Sequence, residues 1–180
     1  MEEEFGASLE IEWRSFLLRP HPAENRELAK FVRYTQSWLR PADEPDAPPF
    51  RVWKSSEGPP SHSVPPHLVA KAAASLGAPS FREIHDRLLR AYFGENRDIT
   101  AVETLRAIWS EAGLPEAEFA RREDPALLEE TLGQHREAVE RGVTGVPASG
   151  VAGSAAYIVG AHSVDLYRRW IRRLQAGVLD

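Results

Sequence analysis

The chain has 180 residues, 42% of them apolar and 27% charged, with a formal net charge of −5. That length suits one domain, or a core with one insertion, and buries enough surface to do without metal or disulfide staples. There is no cysteine, which excludes disulfides, thiolate metal sites and a cysteine nucleophile among these residues, and the negative charge argues against a general polyanion binder.

Met1–Gly6 is acidic and lacks the apolar run of a secretory signal; it reads as a last helical turn stopped at Gly6. Leu9–Phe16 alternates, with Leu9, Ile11 and Trp13 on one face and Glu10, Glu12 and Arg14 on the other, which predicts a half-buried strand near a sheet edge. Pro20 and Pro22 turn the chain out into a loop. The stretch 23–39 predicts a helix carrying Leu28, Phe31, Val32, Thr35, Trp38 and Leu39 near one stripe. Residues 41–66 hold more than half of the 14 prolines and predict a rigid loop, with Phe50, Val52 and Trp53 docking it onto the core.

The next stretch, to residue 142, reads as helical. One helix runs from Pro66 to Leu76 and stops at Gly77. Ser80 with Glu83, and Thr100 with Glu103, have the spacing of capping boxes, each followed by a periodic apolar face. A helix ends at Gly113, and a short one is predicted over 114–120. Asp124 as N-cap with Pro125 in the first turn opens a helix that runs to Arg141 and stops at Gly142. Then the character changes: 145–153 and 155–159 predict two short strands joined at Gly153 and Ser154 as a hairpin. Ser163–Gln175 closes the chain as a helix with Val164, Tyr167, Trp170, Ile171 and Leu174 inward. The order is α/β with a helical insertion and a thin sheet of three strands.

The candidate chemical groups are few. His21, His62, His67, His85, His135 and His162 show no metal-ligand spacing, so no metal site is expected; His85 and His135 lie beside apolar positions and read as structural. Arg168, Arg169, Arg172 and Arg173 form a basic cluster near a helix C-terminus, where cations complement the dipole, so no nucleic-acid partner is expected. Glu129, Glu130, Glu137 and Glu140 read as a solvated face partnered by Arg136 and Arg141. No phosphate-binding glycine motif is present, and Ser149 and Ser154 have no His or Asp at hydrolase-like spacing. No stretch of 18 apolar residues exists, so no membrane span is expected and a soluble cytoplasmic protein is the default.

Gly142-Val-Thr-Gly-Val-Pro147, a Gly-Val-Pro turn entering a strand just after a helix, resembles the cis-proline turn of thioredoxin-fold proteins. Trp13–Pro20 is similar to the second-strand exit of the DsbA-like thioredoxin superfamily in its FrnE-like branch, and Ala91–Thr100 and Leu105–Gly113 resemble that branch's inserted helical domain. Gly160-Ala161-His162 resembles the turn into its last helix; related glutathione-dependent hydroxychromene-carboxylate isomerases and kappa-class transferases usually carry Ser-Asp there. The likeness runs through nearly the whole chain, in order.

The resemblance implies a thioredoxin-like core at 1–40 and 142–180, a Pro-rich loop at 41–66 and an inserted helical domain at 67–141. It implies thiol–disulfide exchange as the family activity. Val146 would be the backbone that pairs an extended peptide or thiol substrate, Pro147 the cis residue shaping the groove, and Thr144 and Gly145 its rim. Family members begin with a strand leading into Cys-x-x-Cys, or a Ser variant, at the start of the first helix. This sequence has neither, so it is expected to carry no catalytic residue, no cofactor and no exchange activity of its own. The resemblance also implies that the absent strand lies between Leu9–Phe16 and Pro147–Val151, leaving a gap. A gene beginning upstream of Met1 is the favoured explanation, and a homodimer filling the gap is another. Three functions stay open: an oxidoreductase-family protein without its cysteines, a redox-inactive peptide-binding relative, and a glutathione-dependent isomerase or transferase.

Overall fold

The computed structural model describes residues 1–23, 26–42, 47–56, 58–154 and 157–177. The chain divides into two units, one formed by Met1–Phe16 with Gly133–Asp180 and the other by Leu17–Leu132.

In the unit Leu17–Leu132, helices α2 (Leu28–Thr35) and α3 (Leu39–Ala42) flank a 3-10 turn at Gln36–Trp38. Helices α4 (Val64–Ala74), α5 (Ala78–Leu89) and α6 (Val102–Glu111) follow, with a π-helical turn, Arg90–Gly94, after α5 and a 3-10 stretch, Glu116–Glu123, after α6. The apolar stripes of α4, α5 and α6 meet, so Val69, Ala72, Ile84, Leu88, Leu105, Ile108, Trp109 and Phe119 form one buried cluster. A second cluster joins Phe31 and Trp38 to Trp53, which docks the Pro-rich segment as the sequence implied. The Phe31 and Trp53 ring centroids stand 5.2 Å apart, edge to face. The Trp53 amide donates to Thr35 Oγ1 at 3.0 Å, which satisfies a buried donor with a buried hydroxyl. Residues 43–46 and 57 of the predicted 41–66 loop lie outside the described residues.

Both predicted capping boxes are corrected. Helix α5 begins at Ala78 with Pro79 in its first turn, so Ser80 already lies inside it and Glu83 pairs with Arg87 at 2.5 Å. Thr100 does not cap α6: its amide and hydroxyl both bond Asp98 Oδ1, at 2.8 and 2.6 Å. Asp98 takes the Thr100 amide that Glu103 would have met, and Thr100 Oγ1 accepts from the Ser61 amide at 3.4 Å rather than from residue 103. The Asp124 cap is present, its carboxylate accepting the Ala126 amide at 2.9 Å at the start of α7 (Pro125–Glu140).

In the other unit, α1 (Glu2–Phe5) and α8 (Val164–Gln175) are joined through Glu4, which accepts from Arg168 at 2.8 Å and Arg172 at 3.1 Å. Two arginines of the basic cluster thereby share one carboxylate, and Arg168 also pairs with Asp165. Strands β1 (Ala148–Gly150) and β2 (Tyr157–Val159) pair antiparallel, with Ala148 opposite Val159, Ser149 opposite Ile158 and Gly150 opposite Tyr157. The hairpin is as expected but shorter; Ala155 and Ala156 of its predicted second strand lie outside the described residues.

The expected strand at Leu9–Phe16 is not formed. Among the described residues the sheet consists of β1 and β2, and no third strand is hydrogen-bonded to it. Ile11 and Trp13 are exposed rather than half-buried. The reason is competition for donors and charges: the Ser15 amide donates to Gln134 Oε1 on α7 at 2.8 Å, and Arg14 is drawn to Glu137 on the same helix. Val164, expected inward on α8, is also exposed. No described helix is long and apolar enough to cross a membrane.

Candidate functional site

Helix α7 ends at Glu140, and Gly142, with φ of 82°, turns the chain through a conformation that a side chain would oppose. The Val143 amide donates to Ala138 O at 2.9 Å, and the Val143 side chain is the buried apolar anchor of this unit among the described residues. Anchored there, the chain swings out. Thr144, Val146 and Pro147 are exposed and Gly145 is partly so, with Val146 showing 48% of its surface. The Val146–Pro147 bond is cis. Pro147 O then accepts from the Gly160 amide at 2.8 Å, which ties the entrance of β1 to the exit of β2.

The four residues named from the sequence therefore stand together as one exposed turn. Among the described residues, the N–H and C=O groups of Thr144, Gly145 and Val146 meet no hydrogen-bond partner. Beyond them, among the described residues, β1 is bonded along one edge only, to β2. Such an edge presents a row of donors and acceptors at strand spacing, which is what an incoming extended segment pairs with.

An ionic chain braces the turn. Glu137 accepts from Arg14 and lies 2.8 Å from Arg141 Nη2, and Arg141 Nη1 donates to Tyr157 Oη at 3.0 Å. The Arg14 hydrogen bond holds the Glu137 carboxyl below the usual carboxylate range. The bond to Tyr157 raises Arg141 further above its ordinary value. The Glu137–Arg141 pair is the partnering that the helical spacing implies; the extensions to Arg14 and Tyr157 have no signal in the sequence. The Gly160 donor was also missed.

His162 Nε2 lies 3.1 Å from Val159 O and faces a backbone carbonyl. His135 packs edge-on against Phe16 at 5.1 Å and His85 against Phe81 at 5.5 Å, in the structural roles expected of them. Among the described residues, no three acidic or histidine side chains group to hold a metal.

The family model of the DSBA-like thioredoxin domain matches residues 2–172. The chain belongs to this family. No curated protein matches it by sequence. Among solved structures it is similar to the cytosolic disulfide reductase DsbM from Pseudomonas aeruginosa, with a TM-score of 0.64 and 18% identity, over 89% of this chain and 82% of that one. The same reductase solved with GSH gives a TM-score of 0.63 at 18% identity, with the same coverage. A "putative protein disulfide isomerase" from Nitrosomonas europaea gives 0.60 at 17% identity, over 87% and 78%. At these identities the likeness establishes the fold: a DsbA-like thioredoxin fold with a helical insertion. Thiol–disulfide exchange needs a thiolate to attack a disulfide sulfur, and these residues contain no cysteine.

Proposed function

We propose that this chain serves the polypeptide-binding side of disulfide chemistry. It holds an extended segment of a thiol- or disulfide-bearing protein against the backbone of Thr144–Pro147 and performs no exchange with its own residues. The observation that carries this is the open backbone of Thr144, Gly145 and Val146 at the head of a strand whose far edge is unpaired among the described residues. An extended peptide adds there by main-chain hydrogen bonds, and alternate side chains set its specificity. Exposed Val146 offers an apolar contact beside those bonds. The turn from β2 into α8, Gly160-Ala161-His162, supports the FrnE-like branch, and the cytosolic neighbour supports a cytoplasmic setting.

Two measurements test this. A fluorescent extended peptide should bind, and the same peptide with its backbone amides N-methylated should lose most of its affinity. An insulin-reduction assay with this chain should stay flat. Equal binding of the two peptides sinks the strand-pairing reading, and turnover in the assay sinks the assignment of the chain as inactive.

A second reading keeps the same edge and makes glutathione its occupant. The structural neighbour solved with GSH favours it. Competition of the peptide by glutathione at millimolar concentration distinguishes it from the first.

A further inference from the structure

Away from the hairpin, within Leu17–Leu132, the segment after Pro49 runs past the end of α5 and leaves a cleft of about 460 Å³ lined by Arg51, Lys54, Ser55, Gly94, Glu95 and Asn96. The cleft is open to solvent rather than enclosed. Three features mark it.

First, its cations, Arg51 and Lys54, are exposed and have no acidic partner among the described residues, whereas nearby Arg97 is paired with Glu95 at 3.3 Å and Glu111 at 3.2 Å.

Second, both cations rise from pinned backbone. The Arg51 amide donates to Phe93 O at 2.8 Å. One side chain, Asn96, accepts from the Lys54 amide at 2.9 Å and donates to Arg51 O at 3.4 Å. Trp53, between them, is almost wholly buried. The two positive charges are therefore presented by a fixed strap rather than a loose loop, which lowers the ordering cost of a ligand.

Third, the surrounding backbone is irregular. Arg90–Gly94 is a π-helical turn, and Asn96 sits at φ of 57°, in the left-handed region. Such features cost energy and cluster at ligand sites. Gly94 keeps the wall of the cleft thin: a Cβ there would stand 3.0 Å from Pro49 O.

We propose that this cleft binds a hydroxyl-bearing phosphate monoester, with the phosphoryl group between Arg51 and Lys54 and the ligand hydroxyls toward Glu95. An arginine fork beside a lysine point charge answers a dianion, and a monocarboxylate would leave one cation without a counter-charge. The Glu95 carboxylate accepts hydroxyl hydrogens and turns the bound group so that its phosphate faces away.

The test is a titration of the full chain with glucose 6-phosphate, read by calorimetry and by the amide resonances of Gly94 and the Asn96 side chain. Glucose, inorganic phosphate and citrate are the comparison probes. Saturable binding that moves those resonances is expected, with inorganic phosphate weaker and glucose silent. Arg51→Gln with Lys54→Gln, shown by circular dichroism to stay folded, should weaken binding by at least about tenfold. Glu95→Gln should narrow the gap between the sugar phosphate and inorganic phosphate. The proposal is overturned if the resonances stay still at millimolar ligand or binding survives the double substitution. It is equally overturned if citrate binds as tightly, which would mean simple charge attraction.

Discussion

The ring of Tyr157 fills the space that a side chain on Gly150 would need: a Cβ there would stand 2.5 Å from Tyr157 Cε1. The two residues face each other in the hairpin register, so the strand that leads away from the Val146–Pro147 turn takes its glycine from the size of its partner. The same Tyr157 then reaches Arg141 through its hydroxyl.

Gly150→Ala should destabilise the protein by about 1–3 kcal/mol, because the ring must leave its place. In a Tyr157→Ala background the same change should cost far less. A double-mutant cycle by urea denaturation checks this, and equal costs in the two backgrounds would refute the steric account.

Thr35 and Trp53 are both almost wholly buried, and Thr35 Oγ1 accepts the Trp53 amide while donating to Val32 O at 2.9 Å. Thr35→Val removes the hydroxyl that accepts that amide, at a cost of about 1–3 kcal/mol. Amide exchange at Trp53 should accelerate in the valine variant and remain slow in Thr35→Ser, which keeps the hydroxyl.

Burial lowers the pKa of His85, against the opposing pull of Asp86. The unfolded chain then binds more protons between the depressed folded value and the ordinary value near 6.5. Stability is full above about pH 6.5 and falls as pH drops through that window. His85→Gln should flatten the slope of the urea midpoint between neutral and mildly acid pH. A separate loss follows at lower pH. Glu4 is held below the usual carboxylate value by its hydrogen bond to Arg168, so its contribution exists above that value and is lost as pH falls through the folded one. Glu4→Gln should reduce the second loss, to which Glu137 also contributes, and leave the first.

Trp109 is fully buried, donates through Nε1 to Pro115 O at 3.0 Å, and meets Phe119 edge-on at 5.7 Å. Trp109→Ala should cost about 3–5 kcal/mol, from lost transfer energy and the cavity left behind. A thermal midpoint close to that of the unsubstituted chain would show that the helical cluster does not depend on it.

How much was legible differs by element. The stops at Gly113 and Gly142 and the Asp124–Pro125 start could be read because each depends on local backbone chemistry within a turn or two. The hairpin could be read from its glycines. The docking of Trp53 was visible because few sites other than a core accept an indole in a Pro-rich loop. The four residues of the turn were named together because they are consecutive. The capping boxes failed at Ser80 and Thr100, since Pro79 starts its helix earlier and Asp98 competes for the Thr100 donors.

Residue order alone settled the local matters here: where helices stop, that a Gly-Val-Pro turn leads into a short strand, and that no thiolate exists among these residues. Tertiary structure decided the rest. Leu9–Phe16 has the alternation of a strand and joins no sheet, because strand formation requires a partner edge, while Gln134 and Glu137 on α7 engage the Ser15 amide and the Arg14 side chain. Arg51 and Lys54 have no visible kinship in the sequence; they share a cleft because one asparagine, folded in from 42 residues beyond Lys54, bonds the backbone of both. Pairings across such separations depend on which surfaces the folded chain brings together, and periodicity within a segment carries no record of them.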